Sequence, residues 1–446
     1  MRNSLRLIAL LLFVSCIIQS AGAQNWPQFR GSKSNQLIDD GNLPLEWDSN
    51  TNIAWKAELE GRGWSSPIIW EDRVFYTNAV IDRSSVPDSL ITDFRGNELN
   101  PREAVYSFQV HCLDLNDGRE IWQKTAYEGI PGITTHPSNT YASETPVTDG
   151  ERLYVYFGMN GLYCYDLDGE LLWKRDMGAF PSTSNWGTAT SPLVYNDLLY
   201  MQIDSDSASY LAALDKRTGK HIWRVERNEN TNWSTPVIWQ NTYRNELITS
   251  GQKACSYDPE TGELIWELYL GGGRNISSPV ASKDMLFLGN EEREGGGGIL
   301  YAVKAGAEGD ISLQGSDSTS AGVAWIRKKS GLSMPSPLLH NGLIYIVERR
   351  RGQIFCYEAA TGNPVYTSVQ VPDAGPFWAS PWASSERIYC LDEEGKTFII
   401  EPGREFRVLG VNKLNDRIWS SVAVGRDSYV FRGVDYLWCV KKLPTR

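Results

Sequence analysis

Short runs in which hydrophobic and polar residues alternate recur along most of the chain. Examples are RLYVYF (152–157), LLYMQI (198–203), LIYIVE (343–348) and RIYCLD (387–392). These runs are rich in aromatic and β-branched residues and are bounded by turn residues, which is typical of β-strands. No segment keeps helical spacing for more than a turn or two. We therefore predict an all-β protein.

Two phrases repeat together with these strands. The first places small residues before a proline, as in GWSSPIIW (63–70) and NWSTPVIW (232–239). The second is a turn of Asp and Thr-Gly followed by an aromatic residue, as in ALDKRTGKHIW (213–223), where glycine adopts the positive φ of a tight turn. The closing aromatic residues are 41–59 positions apart. Four short strands in such a period are typical of a β-propeller blade.

The first phrase occurs eight times, and its last unit (418–442) has no room for a fourth strand. The segment NIAWKAEL (52–59) has the pattern of the missing strand. We therefore predict one eight-bladed β-propeller of four-stranded antiparallel blades over residues 47–442, closed by the N-terminal strand joining the C-terminal blade. Residues 24–46 form an N-terminal lead-in.

The aromatic residues that close the second phrase are predicted to pack each blade against its neighbour, because a four-stranded sheet cannot bury both faces alone. These blade-docking residues are Trp55, Trp122, Trp173, Trp223, Trp266, Trp325 and Tyr366.

The repeat resembles a family of exported bacterial propellers with PQQ-like (pyrroloquinoline-quinone-like) repeats. Its pattern, Ala-x-Asp-x-x-Thr-Gly-x-x-x-Trp, is matched in full at residues 213–223, and WPQFRG (26–31) also resembles exported members. The resemblance covers nearly the whole mature chain and implies the propeller fold. It implies less about function, because the family contains both quinoprotein alcohol dehydrogenases and non-catalytic scaffolds similar to BamB.

Residues 1–23 have the pattern of a signal peptide. Arg2 and Arg6 precede a short apolar run, and small residues end at Ala23, where we expect cleavage. Lipidation at Cys16 is the alternative. No later segment reaches 18 apolar residues, so the mature protein is predicted to be periplasmic or secreted, without a membrane span.

Charge and motif content narrow the classes of function. The chain has 43 Lys and Arg against 54 Asp and Glu, a net charge of −11, which disfavours nucleic acid as a partner. Four His lack metal spacing, and no hydrolase or phosphate-loop motif is present. Of the six Cys in the mature chain, four occupy the same position of the repeat and a fifth lies one residue away, each on a different blade, so we predict buried free thiols. We assign no catalytic residue and no metal ligand, and we expect a monomer.

The longest insertions fall on the face where the inner strands begin, which we call the upper face. Four Trp share one position just before an inner strand, and we predict that they surround the upper mouth of the central channel. They either fill the channel and pack blade to blade, or line a basin for a flat or extended ligand. The predicted ligand-binding residues are Trp64, Trp186, Trp233, Trp378, Trp419, Arg62, Asn275 and Arg350.

Two functions follow. The first is an exported, non-catalytic scaffold or binding protein whose upper loops and channel mouth hold an envelope or secreted protein, or an extracellular polymer. The alternative is a PQQ-dependent alcohol or polyol dehydrogenase, which would need calcium bound by carboxylate and amide oxygens. The resemblance implies that many such enzymes carry adjacent cysteines over the cofactor. This chain has neither a Cys-Cys pair nor a CxxCH haem site. We therefore expect no cofactor.

Overall fold

The computed structural model describes residues 24–38, 41–91, 93–94, 97–98, 100–291 and 298–444. The predicted signal peptide, including Cys16 and Ala23, lies outside these ranges. The all-β prediction is confirmed, because the described residues form eight antiparallel blades and only four short 3-10 helices. The helices are Arg83–Ser85, Asp88–Leu90, Gly158–Asn160 and Thr183–Asn185.

In seven blades the strands follow one another outward from the channel in chain order, so the first strand of each blade is the innermost. Blade 1 consists of Ile68–Trp70, Arg73–Ile81, Tyr106–Asp114 and Glu120–Gly129. Blade 2 consists of Val147–Thr148, Arg152–Tyr156, Leu162–Asp166 and Leu171–Arg175. Blade 3 consists of Leu193–Tyr195, Leu198–Asp204, Ser209–Asp215 and His221–Glu226. Blade 4 consists of Val237–Gln240, Asn245–Thr249, Lys253–Tyr257 and Leu264–Tyr269.

The second half of the ring follows the same plan. Blade 5 consists of Val280–Ala281, Met285–Asn290, Ile299–Lys304 and Val323–Arg327. Blade 6 consists of Leu338–His340, Leu343–Glu348, Gln353–Glu358 and Pro364–Gln370. Blade 7 consists of Trp382–Ala383, Ile388–Leu391, Lys396–Ile400 and Val408–Lys413. Blade 8 contains Ala423–Gly425, Ser428–Arg432 and Tyr436–Lys441. Two additions lie outside this plan: the hairpin Asp93–Phe94 and Asn97–Glu98, and the strand Gly309–Asp310, which runs parallel to the outer strand of blade 4.

The fourth strand of blade 8 comes from the other end of the chain. Ile53–Glu58 pairs antiparallel with Tyr436–Lys441. Blade 8 is then held against blade 1 by the buried guanidinium of Arg432, which donates hydrogen bonds to the backbone oxygens of Ser65 (3.0 Å) and Thr77 (2.6 Å). Burial lowers the pKa of Arg432 to about 9.

Most of the predicted blade-docking tryptophans make one repeated contact with the next blade. The indole N–H of Trp223 donates to the backbone oxygen of Pro259 (3.1 Å), and a Cβ added to Gly262 would lie 2.7 Å from its ring. Gly262 has φ +75°, so the glycine both forms the turn and admits the indole. The same pair of contacts is made by Trp55, Trp122, Trp173 and Trp325, which donate to Leu115, Leu167, Lys216 and Ala359 respectively.

Two members of the predicted docking set differ. The indole N–H of Trp266 donates to the Glu246 carboxylate (2.8 Å) in its own blade. Its ring is fully buried in a cluster that includes Ile311, from the insertion that adds a fifth strand to blade 4. Tyr366 packs edge to face against Phe406 of blade 7, with ring centroids 5.9 Å apart. Trp266 thus makes its polar contact within blade 4, beside the extra strand that pairs with it.

All six cysteines of the described chain are free and buried, as predicted. Burial raises the pKa of the Cys112, Cys164, Cys356 and Cys439 thiols to about 12. They therefore behave as small apolar groups of the sheet interior rather than as reactive thiols.

The lead-in crosses the lower side of the ring. Trp26 exchanges backbone hydrogen bonds with Ile69 of blade 1 (2.8 Å), and Pro27 accepts one from Thr148 of blade 2 (2.9 Å). At its other end, Ile38 donates to the backbone oxygen of Ala383 in blade 7 (2.8 Å). The two ends of the segment are therefore held by blades 1, 2 and 7.

Arg30 anchors the lead-in at the channel. Its guanidinium, 1% exposed, donates to the backbone oxygens of Ser278 (3.3 Å), Pro279 (2.9 Å) and Pro337 (2.9 Å), which belong to blades 5 and 6. Burial lowers the pKa of Arg30 to about 9. No helix within the described ranges has the length and apolar character needed to cross a bilayer.

Candidate functional site

The repeated Ser-Pro and Thr-Pro phrase forms a series of seven hydrogen bonds from blade to blade around the channel. The backbone N–H of Ser66 donates to the hydroxyl of Thr145 in the next blade (3.0 Å), and the backbone N–H of Thr145 in turn donates to Ser191 (2.9 Å). The series continues from blade to blade at 2.9–3.1 Å through Thr235, Ser278, Ser336, Ser380 and Ser421. We call these eight residues the hydroxyl ring. It joins inner strands that share no backbone ladder, which explains why the phrase recurs in each blade.

A cavity of about 460 Å³ opens at the upper end of the channel, and we call it the bowl. The hydroxyl ring lines it, together with Phe29 of the lead-in and the five predicted tryptophans, Trp64, Trp186, Trp233, Trp378 and Trp419. Each of the five tryptophans is half-buried. The indoles therefore do not fill the channel mouth, and the lead-in lies beneath the cavity.

Three of these tryptophans form one continuous stack. The ring of Trp419 lies between Trp378 (centroids 4.2 Å apart, planes at 10°) and Trp64 (4.8 Å, 24°). The guanidinium of Arg349 covers the other face of Trp378, with its central carbon 4.1 Å from the ring centroid. Stacked aromatic rings and an overlying cation are both favourable arrangements.

The remaining two tryptophans form a second group. Trp186 and Trp233 have centroids 5.7 Å apart, and the guanidinium of Arg274 lies 4.9 Å from the centroid of the Trp186 ring. His136 meets Trp186 edge to face at 5.7 Å. The indole N–H of Trp233 donates to the backbone oxygen of Gly187 (2.9 Å), which fixes the loop that carries Trp186.

The wall of the bowl carries cationic groups. Arg274 and Arg349 both line it, and no Asp or Glu is among the described lining residues. Arg274 lies 3.9 Å from the Glu291 carboxylate, whereas the Arg349 guanidinium contacts the sulfur of Met334 (3.0 Å). Burial lowers the pKa of Arg349.

A buried carboxyl group lies directly behind this wall. Glu144 is 2% exposed and accepts a short hydrogen bond from the Thr188 hydroxyl. Burial raises its pKa to about 7. Its chain neighbours Ser143 and Thr145 line the bowl, so a change in its charge would act on the wall.

The structure does not place all the predicted polar residues at the bowl. Arg62, Asn275 and Arg350 are not among its lining residues. Arg62 and Asn275 contribute backbone groups, pairing with Ala79 and with Trp233, while the Arg350 side chain is exposed. Successive residues of a tight turn point in different directions, and this brings the adjacent residues Arg349 and Arg274 to the bowl instead. Neither Arg274 nor His136 was predicted from the sequence.

The family follows from a comparison of sequences. The family model described as outer membrane protein assembly factor BamB matches residues 107–368, more than half of the chain. The chain belongs to this family. The predicted resemblance to PQQ-like repeat propellers is thereby confirmed.

Individual relatives match this BamB-family protein less extensively. BamB of Moranella endobia is 27% identical over 130 residues, which is 29% of this chain and 30% of the relative. Tetrathionate hydrolase of Acidithiobacillus ferrooxidans is 23% identical over 190 residues, 41% of this chain and 37% of the relative. The chain thus spans about a third of the length of the curated relatives it matches.

Solved structures share the fold of this BamB-family protein. BamB from Moraxella catarrhalis has a TM-score of 0.53 at 12% identity, covering 81% of this chain and 98% of its own. Quinohemoprotein alcohol dehydrogenase from Comamonas testosteroni has a TM-score of 0.61 at 11% identity, covering 95% and 81%. Such low identities establish the architecture alone, and it is shared by an assembly factor and by an oxidoreductase.

Proposed function

We propose that this protein is an exported, non-catalytic binding protein that holds a partner, either a protein or an extracellular polymer, on its upper face and in the bowl. The observation that carries the proposal is the bowl itself, in which five half-buried tryptophans and two guanidinium groups meet on the face that bears the long loops. Tryptophan and arginine dominate binding energy at protein interfaces. The family relation to an assembly factor supports the same function.

The dehydrogenase alternative has less support from the bowl. A calcium-bound quinone needs carboxylate oxygens as ligands. The described lining offers hydroxyls, Asn139 and two arginines but no carboxylate, and no group of three metal-ligating side chains occurs in the described ranges. The lining residues therefore do not fit PQQ with calcium, although the fold is shared with quinohemoprotein dehydrogenases.

Export to the periplasm or beyond is part of the proposal. It rests on the leader-like pattern of residues 1–23 and on the relation to an outer-membrane assembly factor. Expression of the full chain followed by cell fractionation and N-terminal sequencing tests it. We expect the processed form outside the cytoplasm, beginning at Gln24. A product retained with residues 1–23 intact in the cytoplasm would contradict it.

Affinity purification from envelope extract tests the binding function. Trp378→Ala removes one end of the stack, and Tyr243→Ala, at a residue that is 71% exposed and not in the bowl lining, is the control. We expect the wild type and the control to retain the same partner, and Trp378→Ala to retain at least about tenfold less, as for an interface hot spot. Equal retention by all three would contradict the proposal. Alcohol oxidation with PQQ and calcium that Trp378→Ala abolishes would favour the alternative.

A further inference from the structure

The floor of the bowl offers hydrogen-bond donors. Each hydroxyl from Thr145 to Ser421 in the hydroxyl ring accepts one backbone N–H from the preceding blade. A hydroxyl that accepts in this way still has its own proton to donate. The buried indole N–H of Trp419 has no hydrogen-bond partner within the described part of the chain. A ligand that satisfies these groups must supply acceptors.

Two rings of the aromatic wall present edges rather than faces. Both faces of Trp419 are covered, by Trp64 and Trp378, and both faces of Trp378 are covered, by Trp419 and Arg349. A ligand cannot stack on these two rings without breaking the existing stack. The edge of an aromatic ring carries partial positive charge. The N–H edge of Trp378 already donates to Glu393 (2.8 Å), so it is the edge of Trp419 that favours an acceptor or anion.

Fixed charge adds to this preference. Arg349 forms no ion pair with any described carboxylate, and it lines a cavity whose described lining has none. The chain as a whole carries a net charge of −11. Carboxylates lie around the bowl, since Glu291 pairs with Arg274 (3.9 Å) and Glu393 accepts from the Trp378 indole (2.8 Å). Arg349 is therefore the cation of the lining that offers a charge complement to an anionic group. Guanidinium groups bind carboxylates through paired hydrogen bonds.

The shape of the bowl limits how a polymer could enter it. Phe29 lines the cavity, and the neighbouring Arg30 is hydrogen-bonded to inner strands of two blades. The lead-in therefore blocks passage down the channel. A chain cannot thread through such a recess, whereas a chain end can enter and stop there.

We propose that the bowl captures the C-terminal carboxylate of a partner polypeptide, with Arg349 and Arg274 as anion anchors and the hydroxyl ring as donors. This inference rests on the proposed binding function and specifies the partner's chemistry. The bowl provides the donors, the charge and the blind end that a terminal carboxylate needs. A cavity of about 460 Å³ lies within the range of ordinary ligand pockets.

The test uses two pools of random octapeptides, one with free C-terminal carboxylates and one with C-terminal amides. Each pool is passed over immobilised protein, retained peptides are identified by mass spectrometry, and the best sequence is measured by titration calorimetry. We expect retention from the free-acid pool to exceed that from the amide pool by about tenfold or more. Loss of one charged hydrogen-bonding group corresponds to about a 10- to 100-fold change in affinity.

Variants identify the anchor. Arg349→Met should weaken binding of the selected peptide about 10- to 100-fold, and Arg349→Lys less, because it keeps the charge but loses the paired hydrogen bonds. Arg350→Met is the matched control, since it removes the same charge from an exposed neighbour outside the bowl lining, and it should bind like the wild type. Circular dichroism and thermal melts verify that each variant is folded. If Arg349→Met does not fold, the Arg349→Lys variant and the amide pool still test the inference.

Several results would overturn the inference. These are equal retention of amide and free-acid pools, equal losses in Arg349→Met and Arg350→Met, binding of acetate or inorganic phosphate as tight as that of the selected peptide, or tighter binding of an acidic oligosaccharide. If the envelope partner is still retained in a Trp378-dependent manner, only the carboxylate inference fails. If no partner depends on Trp378, the proposed function fails as well.

Discussion

The protein uses tryptophan in two different ways, at the outer strands and at the channel mouth. An outer tryptophan such as Trp223 places its ring on the turn glycine of the next blade and its N–H on a backbone oxygen there. At the mouth, Trp419 lies between two other indoles, and its own N–H has no partner in the described structure. The outer residues complete the contacts between blades. The mouth residues hold one another in a cavity, and Trp419 keeps an indole N–H for a ligand.

The largest expected contrast is in stability. Trp325→Ala should lower the free energy of unfolding by about 3–5 kcal/mol, because it empties a buried contact between two blades. Trp64→Ala should lower it by about 1–2 kcal/mol, because its ring is half-buried and makes one stacking contact. Urea denaturation followed by far-ultraviolet circular dichroism measures both. Equal losses would remove the distinction between the two sets.

Ionisation of a group behind the channel mouth should also destabilise the folded protein, an effect that the outer contacts lack. The pKa of Glu144 is raised from 4.5 to about 7 by burial, so the folded state holds a proton that the unfolded state has lost between these values. The free energy of unfolding should therefore fall by about 2–3 kcal/mol as pH rises from about 4.5 to 7, and then level off.

A neutral side chain at this position isolates the effect. Glu144→Gln should not show this decrease in the free energy of unfolding, and it should be more stable than the wild type at about pH 8. Glu263→Gln removes an exposed carboxyl group from a blade-4 turn and should show the same decrease as the wild type. Denaturation curves from about pH 4.5 to 8 provide the measurement. A wild-type slope retained in Glu144→Gln would show that another group is responsible.

The smallest effect concerns the turn glycines under the outer tryptophans. Gly262→Ala should cost about 1–2 kcal/mol, because an alanine at φ +75° is strained and its Cβ would lie 2.7 Å from Trp223. Gly342→Ala is the matched control, at φ +73° with nothing within 4 Å of the added Cβ. The difference between their unfolding midpoints isolates the ring contact. If the two variants lose the same stability, the glycine serves the turn alone.

The features predicted correctly from sequence are those encoded locally. Strand alternation and the Thr-Gly turn repeat within each blade, so the fold and the outer tryptophans follow from a window of about ten residues. The mouth tryptophans followed from their register with the repeated proline. Ser and Thr beside that proline were also recognisable from sequence. Their hydrogen bonds to the next blade, such as that from Ser66 to Thr145, were not predicted.

Contacts between distant parts of the chain could not be predicted in this way. Arg30 reaches Pro279 and Pro337, which are 249 and 307 positions away, and no periodicity records such a contact. Arg274 also required the structure, because neighbouring residues of a turn point in directions that composition does not specify. The blades could thus be predicted from local sequence, whereas the floor of the bowl and the positions of its cationic groups depend on closure of the ring.

The origin of the blade-8 strand has a consequence for how the protein folds. Ile53–Glu58 is synthesised early, but its partner Tyr436–Lys441 is made much later. Until both are present, a nascent chain exposes an unpaired sheet edge and the apolar faces of its first and last blades, which are hazards for aggregation. Bringing together segments so far apart makes contact order high and the final step slow. A chaperone that shields this open arc would therefore matter more for this chain than for a protein whose sheets close locally.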